Sequence, residues 1–356
     1  MSAEPPSEVA DVRAGEQIDT AALTAYLRER LDCGDRPLEV RQFPGGHSNL
    51  TYLLRFGDRE LVLRRPPLGP VAPKAHDMAR EFRVLSALWQ VYPRAPRAYV
   101  YCDDAAIIGS PFYVMERRGG VVIRRHIPAE LGDTPATRRR ISEALIDALA
   151  DLHAVDYRAV GLAGLGKPDG FVERQVRGWA ERWQRAKTRE VPAFEELEAW
   201  LLARVPASPP PSLVHNDFKF DNVMYAAGDP GNVVAVFDWE MCTIGDPLVD
   251  LGTLLGYWVH DDDPVVFLSG MVSPTNLPGY PRREELCERY AERTGIDLSK
   301  IAFYRAFACY KTAVVAEQIY VRYVRGQTQD ERFAMLEPIA PMLVDAAGEI
   351  AKQSGL

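Results

Sequence analysis

The strongest constraint on this chain is an eight-residue segment, 215–222, that reads HNDFKFDN and is followed by a further carboxylate at Asp238. Asp217 and Asn222 stand five positions apart on a tight loop that leads into a strand, so both side chains can face one site. Asp238 comes sixteen positions after Asn222, at the end of an apolar strand, and is followed by Trp-Glu. The spacing therefore predicts a polar site formed by a loop and the end of a strand beside it.

These three side chains fit the chemistry of phosphoryl transfer to a hydroxyl group. The attacking alcohol needs a carboxylate that orients it and accepts its proton, and Mg²⁺ needs oxygen ligands close by. Asp217 fits the first role, and Asn222 with Asp238 fits the second. An HxDxxxxN pattern alone arises by chance in long sequences, where a surface turn is the simpler explanation. The apolar strand that ends in Asp-Trp-Glu favours the catalytic interpretation.

The first third of the chain predicts a small antiparallel lobe over residues 17–118, after a disordered arm at 1–16. Two segments, 38–43 and 50–56, alternate apolar and polar residues as strands do, and three further strands are expected at 60–64, 97–101 and 112–116. Two segments have apolar residues at helical spacing: 18–31 and 74–89. The helix 74–89 is thus inserted after the third strand.

Residues 119–356 predict a larger, mostly helical lobe. Helical spacing is found at 137–153, 171–187 and 194–204, and again over most of the chain up to residue 350. Two short strands are expected at 222–225 and 233–237. The fold class is therefore α+β.

Composition and charge exclude several classes of protein. Hydrophobic residues make up 47% and charged residues 26% of the chain, as in ordinary globular proteins. The net charge of −8 comes from the C-terminal part of the chain. Because nucleic-acid binding needs a basic face, this charge argues against nucleic acid as a partner. The sequence has no run apolar enough for a membrane span and no signal-peptide pattern, so a cytoplasmic protein is expected. The five cysteines are odd in number and widely spaced, which predicts neither disulfides nor a zinc site.

The sequence resembles the aminoglycoside phosphotransferase-like (APH) family of small-molecule kinases, which are relatives of the protein kinases. The resemblance runs from about residue 42 to 257. It is strongest in three segments: 213–222, 234–240 and 245–251. It implies a protein-kinase-like bilobal fold, with a small antiparallel five-stranded N-lobe and a larger, mostly helical C-lobe. It also implies ATP and Mg²⁺ as cofactors.

The same resemblance assigns roles around the loop. Asp217 would be the catalytic base, and Asn222 and Asp238 would be the metal ligands. Lys219 matches a position at which many kinases place a lysine on the γ-phosphate. His215 and Asp250 would be structural and brace the loop.

A glycine-rich turn between the first two strands is a candidate phosphate-binding loop. Glycines there let backbone N–H groups approach phosphate oxygens, although a Gly-Gly turn is also common in plain hairpins. Its place before the third strand favours the phosphate role. The turn consists of Gly45, Gly46, His47, Ser48 and Asn49.

The third strand carries an arginine, Arg64, where the family usually has a lysine that pairs with the α- and β-phosphates. Arg64 faces the same side as Val62, whereas Arg65 faces the other side. A guanidinium can clamp phosphate bidentately but is not interchangeable with lysine, so the efficiency of turnover stays open. Glu81, on the following helix, matches the partner of this cation, and an unpaired surface glutamate is the alternative.

The fifth strand ends in a segment that resembles the adenine-binding hinge. By this resemblance the backbone at Glu116 and Arg118 would hold the adenine edge, and Met115 would pack behind it. Met115 as a plain core residue is equally consistent with the sequence.

The substrate is expected to be a small molecule with a hydroxyl group. Only twelve positions separate Asp238 from Asp250, which leaves no activation segment on which a peptide could dock. Acceptor recognition would then come from helical insertions such as 161–204. There Trp179 and Trp183 either form a substrate wall or pack inward, which is the commoner arrangement.

The sequence leaves two enzymatic interpretations and one non-enzymatic interpretation. An aminoglycoside kinase would need a carboxylate-rich pocket for polyamine sugars. The segments FPGGHSNLTY, VLRRPP and HNDFKFDN resemble instead a branch in which some members are fused to acyl-CoA dehydrogenases and are implicated in phosphorylating hydroxyacyl compounds. This favours a metabolic acceptor such as a hydroxyacyl-CoA. A nucleotide-binding pseudokinase is the third alternative, which the joint presence of Asp217, Asn222 and Asp238 disfavours. The sequence does not decide whether the phosphate donor is ATP or GTP, or whether the protein is a monomer or a homodimer.

Overall fold

The structure is a computed structural model, which describes residues 8–44, 49–68, 76–264, 273–328 and 331–356. The chain divides into two compact units. The first unit consists of Met1–Gly119 together with Ala235–Glu240. The second consists of Gly120–Val234 together with Met241–Leu356. The chain is of the α+β class, as predicted.

The first unit contains a five-stranded antiparallel sheet. Its strands are β1 (Leu38–Gln42), β2 (Leu50–Phe56), β3 (Arg59–Arg65), β4 (Ala98–Cys102) and β5 (Phe112–Glu116). Their order in the sheet is β1-β2-β3-β5-β4, and all neighbours are antiparallel. All five predicted strands are present, with bounds within two residues of those expected.

Helices cover this sheet, and capping residues set where they begin. Thr20–Arg28 begins after Asp19, whose carboxylate accepts hydrogen bonds from the N–H groups of the first turn. It buries Leu23 and Leu27 in a cluster with apolar residues of β2 and β3. Met78–Leu88 begins after Asp77, which caps it in the same way, and packs on β4 and β5. A short helix, Ala105–Ile108, was not predicted.

The second unit is mostly helical. Its helices are Pro135–His153, Phe171–Ala186, Pro192–Ala203, Leu248–Tyr257, Arg283–Thr294, Ile301–Val324 and Ile339–Gln353. Its strands are β6 (Val121–Val122), β7 (Ser212–Val214), β8 (Val223–Ala226), β9 (Asp229–Val236) and β10 (Thr243–Gly245). They form a three-stranded sheet, β6-β8-β9, and a two-stranded antiparallel ladder, β10-β7. The residues of β9 from Ala235 onward belong to the first unit.

The helix Ile301–Val324 organises the core of the second unit. It packs against Leu248–Tyr257, Phe171–Ala186 and Ile339–Gln353. Leu248–Tyr257 approaches it closely at Gly252, where an added Cβ would lie 2.7 Å from the backbone carbonyl carbon of Tyr304. This close approach fixes the helix that carries Asp250 against the centre of the unit.

The remaining sequence-based expectations have mixed outcomes. Trp179 and Trp183 are both buried, which is the inward packing that amphipathic helices usually show. All five cysteines lie in the described part of the chain, and none forms a disulfide. Among the described helices, none has the length and apolarity needed to cross a membrane. The sequence analysis did not predict β6, β7 or β10.

Candidate active site

In the first unit, Arg64 binds two carboxylates at the end of β3. Its Nη1 lies 2.5 Å from Glu81 Oε1, and its Nη2 lies 3.2 Å from Asp238 Oδ1. The Glu81 side chain is fully buried, and that of Arg64 is 11% exposed. Burial acts against the charge on Arg64, but Glu81, Tyr113 and Asp238 raise its pKa well above the ordinary value. Burial raises the pKa of Glu81, and Arg64 opposes that rise. We conclude that both groups are held as an ion pair.

Arg65 is also buried, but it binds backbone carbonyl groups rather than carboxylates. Its guanidinium donates to the carbonyl oxygens of Ile108, at 3.0 Å, and Glu16, at 3.2 Å. The two neighbouring arginines therefore face opposite sides of β3, as the strand alternation predicts. Of these two arginines, only Arg64 lies among acidic side chains, and these side chains could contribute to the same nucleotide site as Arg64.

Asp238 is held in a left-handed backbone conformation, with φ at 67°, just after β9. The next residue anchors it: the Trp239 indole is buried, and its Nε1 donates to the carbonyl oxygen of Val236 at 2.8 Å. The backbone N–H of Trp239 donates to Glu81 Oε1 at 3.3 Å. Glu81 thus fixes both Arg64 and the turn that presents Asp238, whose side chain remains 29% exposed.

Glu240 and His76, which the sequence analysis did not single out, join this group through Asn49. Asn49 donates through Nδ2 to Glu240 Oε2 at 2.9 Å, and its Oδ1 lies 2.9 Å from Nδ1 of His76. Burial, with Asp238 nearby, raises the pKa of Glu240 to about 7. Burial and Arg64 lower the pKa of His76. Glu240 could have been found from its place in Asp-Trp-Glu, whereas His76 lies in a segment with no periodicity. Gly45, Gly46, His47 and Ser48 lie outside the described residues.

The predicted hinge is the end of β5 and the residues after it. Met115 is buried and pairs with Val62 across the sheet. The Glu116 N–H donates to the carbonyl oxygen of Arg97 at 2.8 Å, so this N–H is already engaged. The Glu116 carboxylate lies 3.0 Å from Nη2 of Arg118, which also donates to the carbonyl oxygen of Pro93. These contacts order the segment.

In the second unit, the predicted catalytic loop brings Asp217, Lys219 and Asn222 into direct contact. Lys219 Nζ lies 2.9 Å from both carboxylate oxygens of Asp217. Asn222 Nδ2 donates to the backbone carbonyl of Asp217 at 2.8 Å and to its Oδ2 at 2.9 Å. The loop begins after β7 and ends in a 3₁₀ turn, Phe220–Asn222, immediately before β8. The Asp217 side chain is 24% exposed, so solvent can reach it.

Lys219 is stabilised in its charged form. Burial acts against the charge, but Tyr257 and Asp217 raise the pKa of Lys219 above its ordinary value. Its Nζ also lies 5.0 Å from the centre of the Tyr257 ring, within the range of a cation–π contact. A lysine fixed in this way keeps a positive charge next to the Asp217 carboxylate.

A buried carboxylate, Asp250, holds the backbone before Asp217. Its Oδ2 accepts from the N–H of His215 and its Oδ1 from the N–H of Asn216, both at 2.6 Å. His153 lies on the far side, with Nε2 3.2 Å from Asp250 Oδ2 and Nδ1 2.6 Å from the Tyr290 hydroxyl. Asp250 therefore braces the loop, and His153 and Tyr290 add a layer that the sequence did not reveal.

The residues present offer oxygen donors of the type that Mg²⁺ prefers. Because Asn222 uses its Nδ2 on Asp217, its Oδ1 remains for a metal. Asp238 supplies a partly exposed carboxylate in the first unit. This amide and carboxylate chemistry fits Mg²⁺ and does not fit a metal that requires sulfur or imidazole ligands.

Comparison with known proteins shows the family of this chain. Residues 39–286 match the model of the phosphotransferase enzyme family APH. Acyl-CoA dehydrogenase family member 10 of Mus musculus is 33% identical over 347 residues, which are 97% of this chain but only 32% of that relative. The chain therefore spans about a third of the length of that protein.

Solved structures show the same fold. A Ralstonia eutropha protein provisionally named an aminoglycoside phosphotransferase is 30% identical, with a TM-score of 0.82 over 95% of this chain and 99% of that one. A ternary complex of the phosphotransferase APH(4)-Ia with AMP-PNP and hygromycin B superimposes with a TM-score of 0.58 over 94% of this chain and 99% of that one, at 15% identity. The fold is that of the protein-kinase-like phosphotransferases. The chain belongs to the APH phosphotransferase enzyme family.

Proposed function

We propose that this protein transfers the γ-phosphoryl group of Mg·ATP to a hydroxyl group of a small molecule. The observation that carries the proposal is the Asp217 carboxylate, which Lys219 and Asn222 hold on a loop braced by Asp250. Membership of a phosphotransferase family supports the same reaction class. The complex of APH(4)-Ia with AMP-PNP, a nucleotide analogue, supports ATP as the donor.

Each residue then has a chemical role. The acceptor oxygen forms a bond to the γ-phosphorus, the bond from that phosphorus to the bridging oxygen breaks, and ADP leaves. Asp217 orients the hydroxyl group and takes its proton. Lys219 and Arg64 offset the negative charge of the phosphates. Asn222 and Asp238 would hold Mg²⁺, which would supply positive charge to offset that of the phosphate oxygens.

The side chains around Asp217 favour an acceptor other than a polyamine. Lys219 and Arg182 both lie near the Lys311 ammonium, since each of these cations lowers the pKa of Lys311. The Trp179 ring lies 4.4 Å from the Arg182 guanidinium and 5.6 Å from the Lys311 ammonium. Cations repel a polycationic sugar and tolerate a neutral or anionic acceptor. We therefore propose a metabolite, such as a hydroxyacyl-CoA, in preference to an aminoglycoside. The resemblance to a chain named for acyl-CoA dehydrogenases supports this choice.

Phosphoryl transfer from Mg·ATP across a panel of acceptors tests the proposal. The panel contains hydroxyacyl-CoAs, sugars, amino alcohols and aminoglycosides, and the product is detected by mass. Asp217→Asn serves as the blank, and Asp345→Asn, at an exposed carboxylate on the helix Ile339–Gln353, serves as the matched control.

We expect one acceptor class to gain 80 Da (roughly the mass of one phosphoryl group) with wild type and Asp345→Asn but not with Asp217→Asn. Equal product with Asp217→Asn would remove Asp217 from the role of base. ATP binding without product on any acceptor would favour the pseudokinase alternative. Product with aminoglycosides alone would overturn the choice of acceptor.

A further inference from the structure

Lys311 contacts the catalytic loop one residue before Asp217. It extends from the helix Ile301–Val324, and its ammonium donates to the backbone carbonyl of Asn216. This carbonyl belongs to the peptide group that links Asn216 to Asp217. Lys311 therefore acts on the same peptide plane from which the Asp217 side chain projects.

Asn216 has a left-handed backbone conformation, with φ at 67°, which is uncommon for residues other than glycine, although asparagine adopts it more readily than most. Three of its polar groups have partners. Its N–H donates to Asp250 Oδ1 at 2.6 Å, and its Nδ2 donates to the carbonyl oxygen of Met241 at 2.8 Å. The carbonyl is the third group, and its partner is Lys311. Each contact opposes relaxation of this peptide toward an ordinary conformation.

The location of Lys311 is poor for stability. Burial lowers its pKa, and Lys219 and Arg182, two further cations, act in the same direction, while Asp217 and Asp250 oppose them. A partly buried ammonium next to other cations costs free energy that a methionine of similar length would not. Stability alone therefore does not account for a lysine at this position.

We propose that Lys311 is a positioning residue for phosphoryl transfer, which fixes the Asn216–Asp217 peptide so that the Asp217 carboxylate meets the acceptor hydroxyl. This inference rests on the proposed function, since it takes Asp217 as the base. Lys311 itself donates no proton to the reaction and makes no bond to the nucleotide. Its effect is on the orientation of a group that does react.

Lys311→Met tests the role, with Lys300→Met as the control at an exposed lysine that precedes the same helix. Hydrolysis of Mg·ATP, with water as the acceptor, provides the rate. We expect kcat to fall about 100-fold, as for a misplaced catalytic group, and KM for ATP to change less than about threefold. The melting temperature should stay the same or rise, because an unfavourable buried charge is removed. Lys300→Met should match the wild type.

Two further variants separate positioning from a merely structural role. Lys311→Arg should regain part of the rate, since it restores a donor for the Asn216 carbonyl. Lys311→Ala should be stimulated by added ethylamine, whose ammonium can occupy the place of the lost one, whereas the wild type should not respond. A rate for Lys311→Met within about threefold of wild type would overturn the proposal. So would a loss of rate that comes with a large fall in melting temperature and no response to ethylamine.

Failure of the proposed function would give a different result. If the wild type hydrolyses ATP no faster than Asp217→Asn, the base assignment is wrong, and the role of Lys311 is rejected together with it. If Asp217→Asn is inactive and Lys311→Met is not, only the role of Lys311 is rejected.

Discussion

At the scale of single residues, Arg64 stabilises the charges of the acidic side chains that it contacts in the first unit. Glu81 is fully buried and Asp238 is partly exposed, and one guanidinium contacts both. The planar fork of an arginine can donate to two carboxylates at once, which the single ammonium of a lysine does less well. The departure from the lysine of the family is thus compatible with an ordered pair.

Replacing Arg64 should destabilise the protein to an extent that depends on the charge retained. Arg64→Met leaves the Glu81 carboxylate buried without its partner, so we expect the free energy of unfolding to fall by ~3–5 kcal/mol. Arg64→Lys keeps a cation and should cost less. Urea unfolding measures both changes. The double variant Arg64→Met/Glu81→Gln removes the stranded charge and should recover much of the loss. A loss below ~1 kcal/mol for Arg64→Met would show that the pair contributes little to stability.

Sequence reasoning was sufficient for some residues and not for others, for a physical reason. The pairing of Arg64 with Glu81 was implied by the resemblance to the family, and it is present in the structure. Lys311 and His76 could not be found in this way. Each reaches its partner through the tertiary fold, across 95 positions from Lys311 to Asn216 and 27 from His76 to Asn49. Motif spacing carries no information on such contacts.

At the scale of elements, length and burial decide which strands can be predicted. β2 and β3 are seven residues long and lie next to clear turns, and their bounds were predicted within one residue. β7 and β10 have three residues each, and β7 is buried on both faces, so it shows no alternation of polar and apolar residues. These two strands nevertheless pair with each other beside the loop that carries Asp217, and β7 leads directly into that loop.

The close approach of two helices at Gly252 predicts the effect of adding one methyl group there. In Gly252→Ala the new Cβ would lie 2.7 Å from backbone atoms of Tyr304, which cannot move aside as a flexible side chain can. We expect a loss of ~1–3 kcal/mol in the free energy of unfolding as the helices separate. Gly178→Ala is the matched control, since this glycine lies in the helix Phe171–Ala186 with no atom within 4 Å of the new Cβ.

Gly178→Ala should stabilise the protein by ~0.5–1 kcal/mol, because alanine has the better helix propensity. Thermal and urea unfolding of the two variants give the comparison. If both alanines had the same effect, helix propensity rather than the approach to Tyr304 would control the stability at Gly252.

At the scale of the whole molecule, the family and reaction class follow from a few motifs, but the acceptor does not. A base, metal ligands and cations are needed wherever a phosphoryl group is transferred. The residues that supply them can therefore be recognised as a pattern in the sequence. We propose that side chains on helices such as Phe171–Ala186 and Ile301–Val324 recognise the acceptor, and the apolar spacing of these helices indicates only how they pack. The cationic character around Asp217 emerged only from the structure.

Binding of Mg·ATP should stabilise the whole chain, since a ligand that binds only the folded state raises the free energy of unfolding. At a concentration one hundred times the dissociation constant the gain is ~2.7 kcal/mol, which a thermal-shift titration resolves readily. In Asp238→Asn we expect the Mg²⁺-dependent part of this shift to disappear, because a carboxylate ligand is replaced by a neutral amide. Asp217→Asn should keep the shift, since it alters the proposed base and not the metal ligands. Asp345→Asn should behave as wild type. An undiminished Mg²⁺-dependent shift in Asp238→Asn would mean that the metal is bound elsewhere, and the role of Asp238 would then be limited to its contact with Arg64.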